Sequence, residues 1–589
     1  MKKFLSTIFL CAIAYAQLLD DKFVVLPKFE PKSQMTKEVK DFVDNATSLS
    51  NFIRKAKTTR DLLGRKTLDS TVYLVNQTNE TRMKVIVTFV DIPKPLPERL
   101  FGRYETDSVS NKRYWINGNE VTESLYIKKH NEIKSIIKAT SNTYQQPYIA
   151  NLTAEEIKKL LEGPEIVTIS KYIEPQPLSN DTTINGMVYY KDSVIRVQSQ
   201  IETWAFGNGY KGNGIGIYFT ETGCPNLNYV NQSLYSQGNT CIHGTRTHPT
   251  GVARVLQTTA PQAMIYGFDQ ENRPNNPMNY SVPIYIGSHS WAISGDSLYT
   301  YEDKEMDNYI YNEGVIEFIA SGNKNPSSPL RYVCSPGKSV NAITVGAIQP
   351  DTYTYAYYTQ WKNSVVQNQK PEIPNFSHFY FEGDTPFSIT INGVTETYNG
   401  TFNGTSASTP YTAAMAADVL SQHSFFKEHP EMFKALIMTG STQNITSIAG
   451  SPLLDTDNYA RIKKIPLYFR MGWNTRSAYW NGNNNDFFSS DSTISFTESN
   501  ITAGKRYRIA IAWLSNGDYV YNYNLLPQDM DLYVYQNGNL IAQSISTTNP
   551  FELVDFTTQS PTDFTIVIKR SRNSYSDNIL MGYNFLKIN

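Results

Sequence analysis

The sequence predicts an α/β protein: a doubly wound parallel sheet, preceded by an α+β domain and followed by an antiparallel β-sandwich. Three patterns predict this class. Apolar strand-like runs alternate with helix-like runs in the middle of the chain, which is typical of a parallel sheet covered on both faces. A mixed helix and strand pattern precedes that region, and alternation with period two follows it. The predicted divisions are a leader at residues 1–16, an α+β domain at 17–185, a central domain at 186–484 and a sandwich at 485–589.

The first sixteen residues have the pattern of a secretory signal peptide. Lys2 and Lys3 precede an apolar run over residues 4–14, and a motif of small residues predicts cleavage before Gln17. The run is shorter than the roughly 18 apolar residues that a membrane anchor needs. We therefore expect a secreted, extracellular protein with no membrane span.

The region from 17 to 185 alternates between strand and helix patterns. Thr153 has the position of an N-cap, with Glu156 three residues later to complete a capping box. The helix that starts there ends at Gly163, which precedes a proline. The other predicted elements are strands at 83–90, 148–150 and 165–172 and a helix at 126–139.

In the central region, polar side chains follow the ends of apolar strands. Glu221 follows a predicted strand at 212–219, and Asn323 follows another at 315–320. Open parallel sheets bind ligands at the carboxyl ends of their strands. We therefore expect Glu221 and Asn323 at a functional edge of the sheet.

Two further residues stand at helix entrances. His248 precedes a helix-like run that has Pro249 at its first position, where proline is favoured. Ser406 lies on a glycine-led turn that enters a helix at 411–420. A serine on such a turn is placed as a nucleophile, and it needs a base such as imidazole within hydrogen-bonding distance.

Beyond residue 484 the apolar residues alternate with period two. Strands are predicted at 507–513, 530–535 and 563–569, with a turn at 537–538, and together they indicate an antiparallel β-sandwich of about 100 residues. Asp529 and Asp531 are interpreted as the solvated start of a strand. Structural calcium is the alternative, although two carboxylates fall short of a six-ligand site.

The charge composition argues against a strongly charged partner such as nucleic acid. Charged residues make up 18% of the 589, and 53 Lys and Arg nearly cancel 54 Asp and Glu, so that the net charge is −1. This balance argues against nucleic acid as a partner.

Once the leader is removed, three of the four cysteines remain. Cys224 and Cys241 are candidates for a disulfide bond, which would leave Cys334 outside that bond.

The motifs of the central region resemble those of the subtilisin-like serine proteases, the subtilase family. Residues 404–410 (GTSASTP) are similar to the family's serine motif, Gly-Thr-Ser-x-Ala-x-Pro, with Ser408 in place of an alanine. Residues 321–323 (SGN) resemble its oxyanion asparagine motif, and 370–373 (KPEI) resemble its Lys-Pro-Asp-Val run. The order acid, His, Asn, Ser is the subtilisin order. The similarity runs from about residue 188 to 480.

The resemblance implies a role for each candidate catalytic residue. Ser406 is the nucleophile, His248 the general base, and Glu221 the carboxylate that orients the imidazole. Asn323 and the backbone N–H of Ser406 donate to the oxyanion, and loss of such a donor costs about 2.7 to 4 kcal/mol in the reaction barrier. His243 is a rival base because Ile242–Thr245 also resembles the family's His-Gly-Thr, and we interpret it as a surface or loop residue.

Glu221 is the main departure from the family pattern. The family has aspartate at the matching position, so the carboxylate here carries one additional methylene group. A displacement of about 1 Å in a catalytic group can lower the rate about 100-fold. Pro249 and Arg254 also replace glycines of the family pattern. These changes leave open a catalytically impaired pseudoprotease.

The segment Ser288–Ala292 resembles the substrate-binding edge, Asn-Ser-Trp-Gly, of subtilases with a C-terminal β-domain. The resemblance implies that an extended peptide pairs with this edge, in the manner of β-augmentation. Trp291 has core packing as an alternative role. The implied substrate-binding residues are Ser290, Trp291 and Ala292 on the edge and Ala320, Ser321 and Gly322 along the pocket beside it.

The flanking regions fit the same family. Residues 84–175 resemble an inhibitory propeptide, and 529–532 resemble the Asp-Leu-Asp-Leu run of C-terminal jelly-roll domains. The sequence therefore predicts a secreted serine endopeptidase made as a zymogen. It acts as a monomer on protein or peptide substrates, with no cofactor needed for the chemistry. An adhesin-like binding protein on the same fold is a further alternative.

Overall fold

The computed structural model describes most of the chain from residue 187 to 588 and separate stretches before it. The leader predicted at residues 1–16 lies outside the described residues. None of the helices in the described part of the chain combines the length and apolar character needed to cross a membrane. The described residues are 34–35, 39–40, 42–43, 82–90, 114–116, 119–140, 148–163, 166–171, 182–184, 187–269, 272–293, 295–323, 332–350, 353–361, 363–391, 393–444, 447–448, 464–472, 475–483, 487–574 and 578–588.

The N-terminal region forms a four-stranded sheet in the order β1-β6-β2-β5, next to two helices. Thr153 and Glu156 form the predicted capping box, which satisfies N–H groups at the start of the second helix. Ile157 and Leu160 of that helix are buried against the sheet. The elements are β1 (Gln34–Met35), β2 (Arg82–Val90), β3 (Tyr114–Ile116), β4 (Asn119–Val121), α1 (Glu123–Thr140), β5 (Tyr148–Thr153), α2 (Ala154–Leu161), β6 (Ile166–Lys171) and β7 (Thr182–Ile184).

The central region is built on a nine-stranded, mostly parallel sheet in the order β10-β11-β9-β12-β13-β14-β15-β22, with β16 also paired to β14. The predicted parallel sheet is therefore confirmed. The elements are β8 (Met187–Lys191), α3 (Asp192–Gln198), β9 (Gly216–Glu221), β10 (Tyr235–Gln237), α4 (Thr247–Thr259), β11 (Met264–Asp269), β12 (Ile284–His289), α5 (Tyr301–Glu313), β13 (Ile316–Ala320), β14 (Ile343–Gln349), β15 (Thr354–Tyr355), β16 (Ile373–Phe376), β17 (Phe379–Tyr380), β18 (Phe387–Ile391), β19 (Val394–Tyr398), β20 (Thr401–Phe402), α6 (Thr405–Gln422), α7 (Pro430–Gly440), β21 (Ser441–Asn444), β22 (Ser447–Ile448), β23 (Lys464–Pro466) and α8 (Tyr468–Gly472).

Helices cover both faces of this sheet. Helix α6 is buried from Thr405 to Leu420, and its alanines let it pack closely on β12, β13 and β14 and on α4. Helix α5 lies on the opposite face, where Met306 and Ile310 pack against Ile319 of β13. Because side chains alternate along a strand, neighbouring residues of one strand face different helices.

Three predicted boundaries shift in the structure. Strand β9 starts at Gly216 and not at Gly212, because Gly212 and Gly214 have positive φ angles and form turns. The sequence predicts a strand at 282–286 that ends ahead of Ser288, but β12 runs on to His289, so Ser288 and His289 belong to the strand. Helix α6 starts at Thr405, which places Ser406 inside the first helical turn.

The C-terminal region contains two four-stranded antiparallel sheets, in the orders β24-β31-β26-β29 and β25-β30-β27-β28. Their apolar residues form one shared cluster. The first sheet begins at Thr475, ahead of the boundary predicted at residue 485. The elements are β24 (Thr475–Asn483), β25 (Thr493–Glu498), β26 (Arg506–Trp513), α9 (Gly517–Tyr523), β27 (Gln528–Gln536), β28 (Asn539–Ser544), β29 (Phe551–Thr557), β30 (Phe564–Asn573) and β31 (Asn578–Ile588).

Two carboxylates of β27 differ from their prediction. Asp529 and Asp531 were expected at a solvated strand start, but both are buried. Asp531 accepts hydrogen bonds from the Tyr533 and Ser571 hydroxyls. Burial raises the pKa of Asp529, a shift that the charge of Arg572 opposes and the charge of Asp531 reinforces. The strand pairs with β30 along this stretch, which shields the carboxylates from water.

Candidate active site

Glu221 is the last residue of β9 and lies at the carboxyl edge of the sheet. Its side chain is buried, and Oε2 lies 2.8 Å from Nδ1 of His248. Within the described residues, Oε1 is buried and has no hydrogen-bond partner. The longer glutamate side chain therefore reaches the imidazole, although only one of its two oxygens is engaged.

His248 is the second residue of α4, so the helix entrance positions the ring. The imidazole is 43% exposed and lies edge-to-face on Phe402, with ring centroids 5.2 Å apart. Burial lowers the pKa of His248, but the charge and hydrogen bond of Glu221 and the charge of Glu396 outweigh it, so the pKa lies above its ordinary value. Because Nδ1 binds Glu221, Nε2 is the nitrogen available to exchange protons.

Ser406 lies at the N-terminal end of α6 and is tied to the end of β12. Its hydroxyl donates to the Ser290 carbonyl oxygen at 3.2 Å, and the Ser290 hydroxyl donates to the Ser406 carbonyl oxygen at 2.9 Å. In the part of the chain that the structure describes, Ser406 Oγ makes no hydrogen bond to His248. Catalytic hydrogen bonds are often long or misaligned without substrate and form in the substrate complex.

The side chain of Asn323 is held by the residue before Ser406. Its Oδ1 accepts hydrogen bonds from the Thr405 backbone N–H at 2.9 Å and from the Thr405 hydroxyl at 3.0 Å. With the oxygen engaged, the amide Nδ2 is oriented as the donor. Gly404 has a φ of 87°, and a Cβ there would lie 3.0 Å from that Nδ2. This turn therefore leaves room for the donor beside Ser406.

The edge segment after β12 is anchored at Ser290, Trp291 and Ile293. Ser290 holds Ser406, as described above, and the indole Nε1 of Trp291 donates to the Thr220 hydroxyl at 2.7 Å. Ala292 is exposed. The next residue, Ile293, uses its backbone N–H to bind the Ser335 carbonyl oxygen at 3.0 Å. Trp291 thus points partly into the protein, which matches neither a purely core residue nor a fully exposed one.

The residues predicted to line the pocket are the last residue of β13 and the two that follow it. Ala320 and Ser321 are buried, and the Ser321 backbone is occupied by bonds to Val345 and Cys334. The Gly322 backbone N–H donates to the Thr405 hydroxyl at 3.2 Å. Gly322 has a φ of 106°, and a Cβ there would lie 2.2 Å from Gln360 Oε1, so only glycine fits.

Comparisons with known proteins match the central region of the chain. A model of the Subtilase family matches residues 244–460. This part of the chain is a subtilase domain. Relatives include Subtilisin NAT of Bacillus subtilis subsp. natto, 23% identical over 347 residues that make up 54% of this chain and 82% of the relative. Serine protease AprX of Bacillus subtilis (strain 168) is 28% identical over 182 residues, which are 28% of this chain and 40% of that protein.

Solved structures give weaker similarity than the sequences do. The serine protease of Aeromonas sobria is 13% identical, with a TM-score of 0.33, and the match covers 66% of this chain and 90% of that one. The family assignment therefore rests on the sequence matches. As a subtilase, the chain belongs to the serine endopeptidases, and its central parallel sheet is the subtilisin-like fold.

The rival histidine of this subtilase has a different partner. His243 Nδ1 lies 2.7 Å from Oδ1 of Asp269, at the end of β11, and the Asp269 carboxylate also accepts the backbone N–H groups of His243 and Gly223. Burial raises the pKa of Asp269, but the hydrogen bonds from His243 and Gly223 lower it by more, so the pKa lies below its ordinary value. The same loop contains a disulfide bond between Cys224 and Cys241, which confirms the predicted pairing of these two cysteines. His243 is thus a loop residue.

No metal site is formed by that loop. The sulfur atoms of Cys224 and Cys241 and the Asp269 carboxylate lie within 4.8 Å of one another. The disulfide engages both sulfurs, so they are unavailable as thiolate ligands. Structural calcium elsewhere in the subtilase stays a prediction.

Sequence reasoning missed a carboxylate that holds the start of α4. Glu396, on the hairpin of β18 and β19, pairs with Arg246 at 2.8 Å and accepts the Thr247 hydroxyl at 3.2 Å. Both partners directly precede His248. The residue lies 148 positions along the chain from His248, on a hairpin without a recognisable motif, so no sequence signal points to it.

Proposed function

We propose that this subtilase is a secreted serine endopeptidase, made as a zymogen, that cleaves peptide bonds through an acyl-enzyme on Ser406. The observation that carries the proposal is the 2.8 Å contact between Glu221 Oε2 and His248 Nδ1. This contact supports the proposal that glutamate orients the imidazole in place of the family's aspartate. The bond fixes the tautomer whose Nε2 accepts a proton.

Acylation uses the residues already described. As Ser406 Oγ bonds to the scissile carbonyl carbon, its proton passes to His248 Nε2. The resulting oxyanion accepts hydrogen bonds from Asn323 Nδ2 and the Ser406 backbone N–H. The C–N bond then breaks, and the imidazolium gives its proton to the leaving amine.

Deacylation repeats the sequence with water. His248 Nε2 takes a proton from the water as its oxygen attacks the acyl carbon, and the bond to Ser406 Oγ breaks with return of a proton. Throughout, the Glu221 carboxylate stabilises the imidazolium. The raised pKa of His248 is consistent with that stabilisation. No cofactor takes part in these steps.

The flanking regions complete the proposal. We assign the α+β region at 17–185 the role of a propeptide that assists folding and blocks the cleft until it is cut off between Glu174 and Asp192. Export through the 1–16 leader would place the mature enzyme outside the cell, where it meets protein and peptide substrates as a monomer. A peptide would bind in extended form beside Ser290–Ala292 and over Ala320–Gly322.

A pseudoprotease is the second candidate, and two observations favour it. Glu221 Oε1 is buried without a hydrogen-bond partner in the described part of the chain, and Ser406 Oγ donates to Ser290 and not to His248. Such a protein would bind peptides in the cleft without cleaving them.

A fluorophosphonate probe separates the two candidates, because it forms a covalent bond with an activated serine. We expect the secreted wild type to be labelled and to lose its N-terminal region, whereas Ser406→Ala is unlabelled and keeps it. Ser408→Ala is the matched control, since Ser408 lies on the same helix and its hydroxyl donates to the Thr405 carbonyl oxygen. Equal, weak labelling of wild type and Ser406→Ala, with the N-terminal region attached in both, would favour the pseudoprotease.

A further inference from the structure

A further imidazole–carboxylate pair lies beneath the substrate edge, on the face of the sheet opposite the proposed catalytic residues. His289 of β12 and Glu317 of β13 are fully buried, and His289 Nε2 lies 2.7 Å from Glu317 Oε2. The other ring nitrogen, Nδ1, lies 2.7 Å from the Thr220 hydroxyl. Thr220 directly precedes Glu221 and also receives the indole N–H of Trp291.

The sheet is built to hold this pair. Gly287 neighbours Glu317 in the register of β12 and β13, and a Cβ at Gly287 would lie 1.8 Å from Glu317 Oε2. Tyr218 donates its hydroxyl to Glu317 Oε1 at 2.6 Å. Both carboxylate oxygens are therefore bonded, as a buried charge requires.

The donors and acceptors fit one direction of hydrogen bonding. The Trp291 indole can only donate, so the Thr220 oxygen accepts from it. The Thr220 hydroxyl then donates to His289 Nδ1, which leaves Nε2–H to donate to the Glu317 carboxylate. In this arrangement each polar side-chain atom of the hydrogen-bonded series Trp291, Thr220, His289 and Glu317 has a partner. The Trp291 indole is thereby held by an oriented hydroxyl, and not only by packing.

The network also joins the strands that form the site. Strand β9 ends with the catalytic carboxylate, β12 leads into the substrate edge, and β13 leads into the oxyanion asparagine; the three are adjacent in the sheet. His289 pairs with Thr220 on one side and with Ile319 on the other. Side chains on one face of the sheet thus fix the spacing between these strand ends. The reacting groups at the strand ends lie on the other face of the sheet.

We propose that Thr220, oriented by His289 and Glu317, is a positioning residue for substrate binding: it holds Trp291 and so fixes the backbone at Ser290, where an extended peptide pairs. This inference rests on the proposed function, because it concerns the same cleft. In this proposal the hydrogen bond from the Trp291 indole N–H to Thr220 contributes to peptide affinity, in addition to the packing of the ring.

A double-mutant cycle on the matured enzyme tests the link, with fluorescein-labelled casein as substrate. Thr220→Val removes the hydroxyl at nearly constant shape, and Trp291→Phe removes the indole N–H. We expect each to raise KM about fivefold to tenfold with kcat changed less than about twofold, and the double variant to be no worse than the worse single one. Thr220→Ser, which keeps the hydroxyl, should stay close to wild type.

Hydrogen–deuterium exchange of residues 288–293 gives a readout that does not depend on turnover, and it also shows whether Thr220→Val folds. We expect faster exchange there in Thr220→Val and Trp291→Phe and not in Thr220→Ser. Unchanged KM in Trp291→Phe, with or without faster exchange, overturns the inference, as do additive losses in the double variant. If the wild type is active and the variants give those results, only this inference is refuted. If the wild type neither cleaves casein nor reacts with the phosphonate, the proposed function is overturned as well.

Discussion

The two faces of the central sheet carry similar imidazole–carboxylate pairs in opposite settings. His248 and Glu221 touch at 2.8 Å, and the imidazole is 43% exposed. His289 and Glu317 touch at 2.7 Å, and both side chains are almost completely buried. Glu317 has both oxygens bonded, whereas within the part of the chain that the structure describes Glu221 has a bond on Oε2 only. Distance alone therefore does not distinguish a pair that moves protons from one that holds strands.

The difference lies in what surrounds each pair. A working base needs an accessible nitrogen, and the His248 imidazole is 43% exposed while Glu221 occupies its Nδ1. Both ring nitrogens of His289 are occupied, by Thr220 and Glu317, so it has no nitrogen to offer. The His243–Asp269 pair is intermediate: its carboxylate is buried and accepts backbone N–H groups, but its imidazole is 35% exposed. Completed hydrogen bonding on both side chains thus separates the buried His289–Glu317 pair from the proposed catalytic pair.

Removing the carboxylate of the catalytic pair should have the largest effect. We expect Glu221→Ala to lower kcat about 10³-fold to 10⁴-fold, because the imidazole loses both its orientation and the charge that stabilises the imidazolium. Glu221→Asp should retain part of the activity, since a carboxylate remains. Steady-state hydrolysis of labelled casein, normalised to phosphonate-reactive sites, measures both. Wild-type activity in Glu221→Ala would show that another residue orients His248.

Removing the carboxylate of the buried pair should act on stability instead. Glu317→Ala removes the carboxylate that accepts from the Tyr218 hydroxyl and His289 Nε2–H in the interior. We therefore expect a loss of about 2–5 kcal/mol in the free energy of unfolding. Glu317→Gln keeps one acceptor oxygen and should lose less. Urea denaturation of the matured enzyme, stabilised against self-cleavage by phosphonylation of Ser406, provides the measurement. Equal stability of Glu317→Ala and wild type would contradict the structural role of this pair.

The sequence predicted the catalytic side of the sheet better than the buried side. Glu221, His248 and Ser406 each sit at the end of a strand or the start of a helix, where short-range patterns and family motifs are strong. Glu317 lies inside the apolar run at 315–320, which was interpreted simply as a buried strand. A charged residue in such a run is itself a signal of a buried partner, but the partner comes from a neighbouring strand.

The same reason explains the misjudged carboxylates of β27 and the shifted ends of elements. Asp529 and Asp531 are buried by pairing with β30, a contact between segments some 40 residues apart that local pattern does not report. Strand β12 continues through His289 because β9 and β13 flank it on both sides. Long-range pairing, and not local propensity, decided these positions.

The smallest expected effect concerns the pH profile of the catalytic pair. The charge of Glu396 contributes to raising the pKa of His248, and Glu396 also binds Arg246 and Thr247 at the start of α4. Glu396→Gln removes the charge and keeps an acceptor oxygen, so the pKa of His248 should fall towards its ordinary value. Because the neutral imidazole is the active base, the acidic limb of kcat/KM should move to lower pH.

The matched control for this change is Glu382→Gln, which removes an exposed carboxylate paired with Lys191. We expect no movement of the acidic limb in that variant. Since the Glu396 side chain is 31% exposed, added salt should screen its charge and shrink the difference between Glu396→Gln and wild type. A shift to higher pH, or an equal shift in both variants, would show that Glu396 acts on the fold of the hairpin and not on the charge at His248.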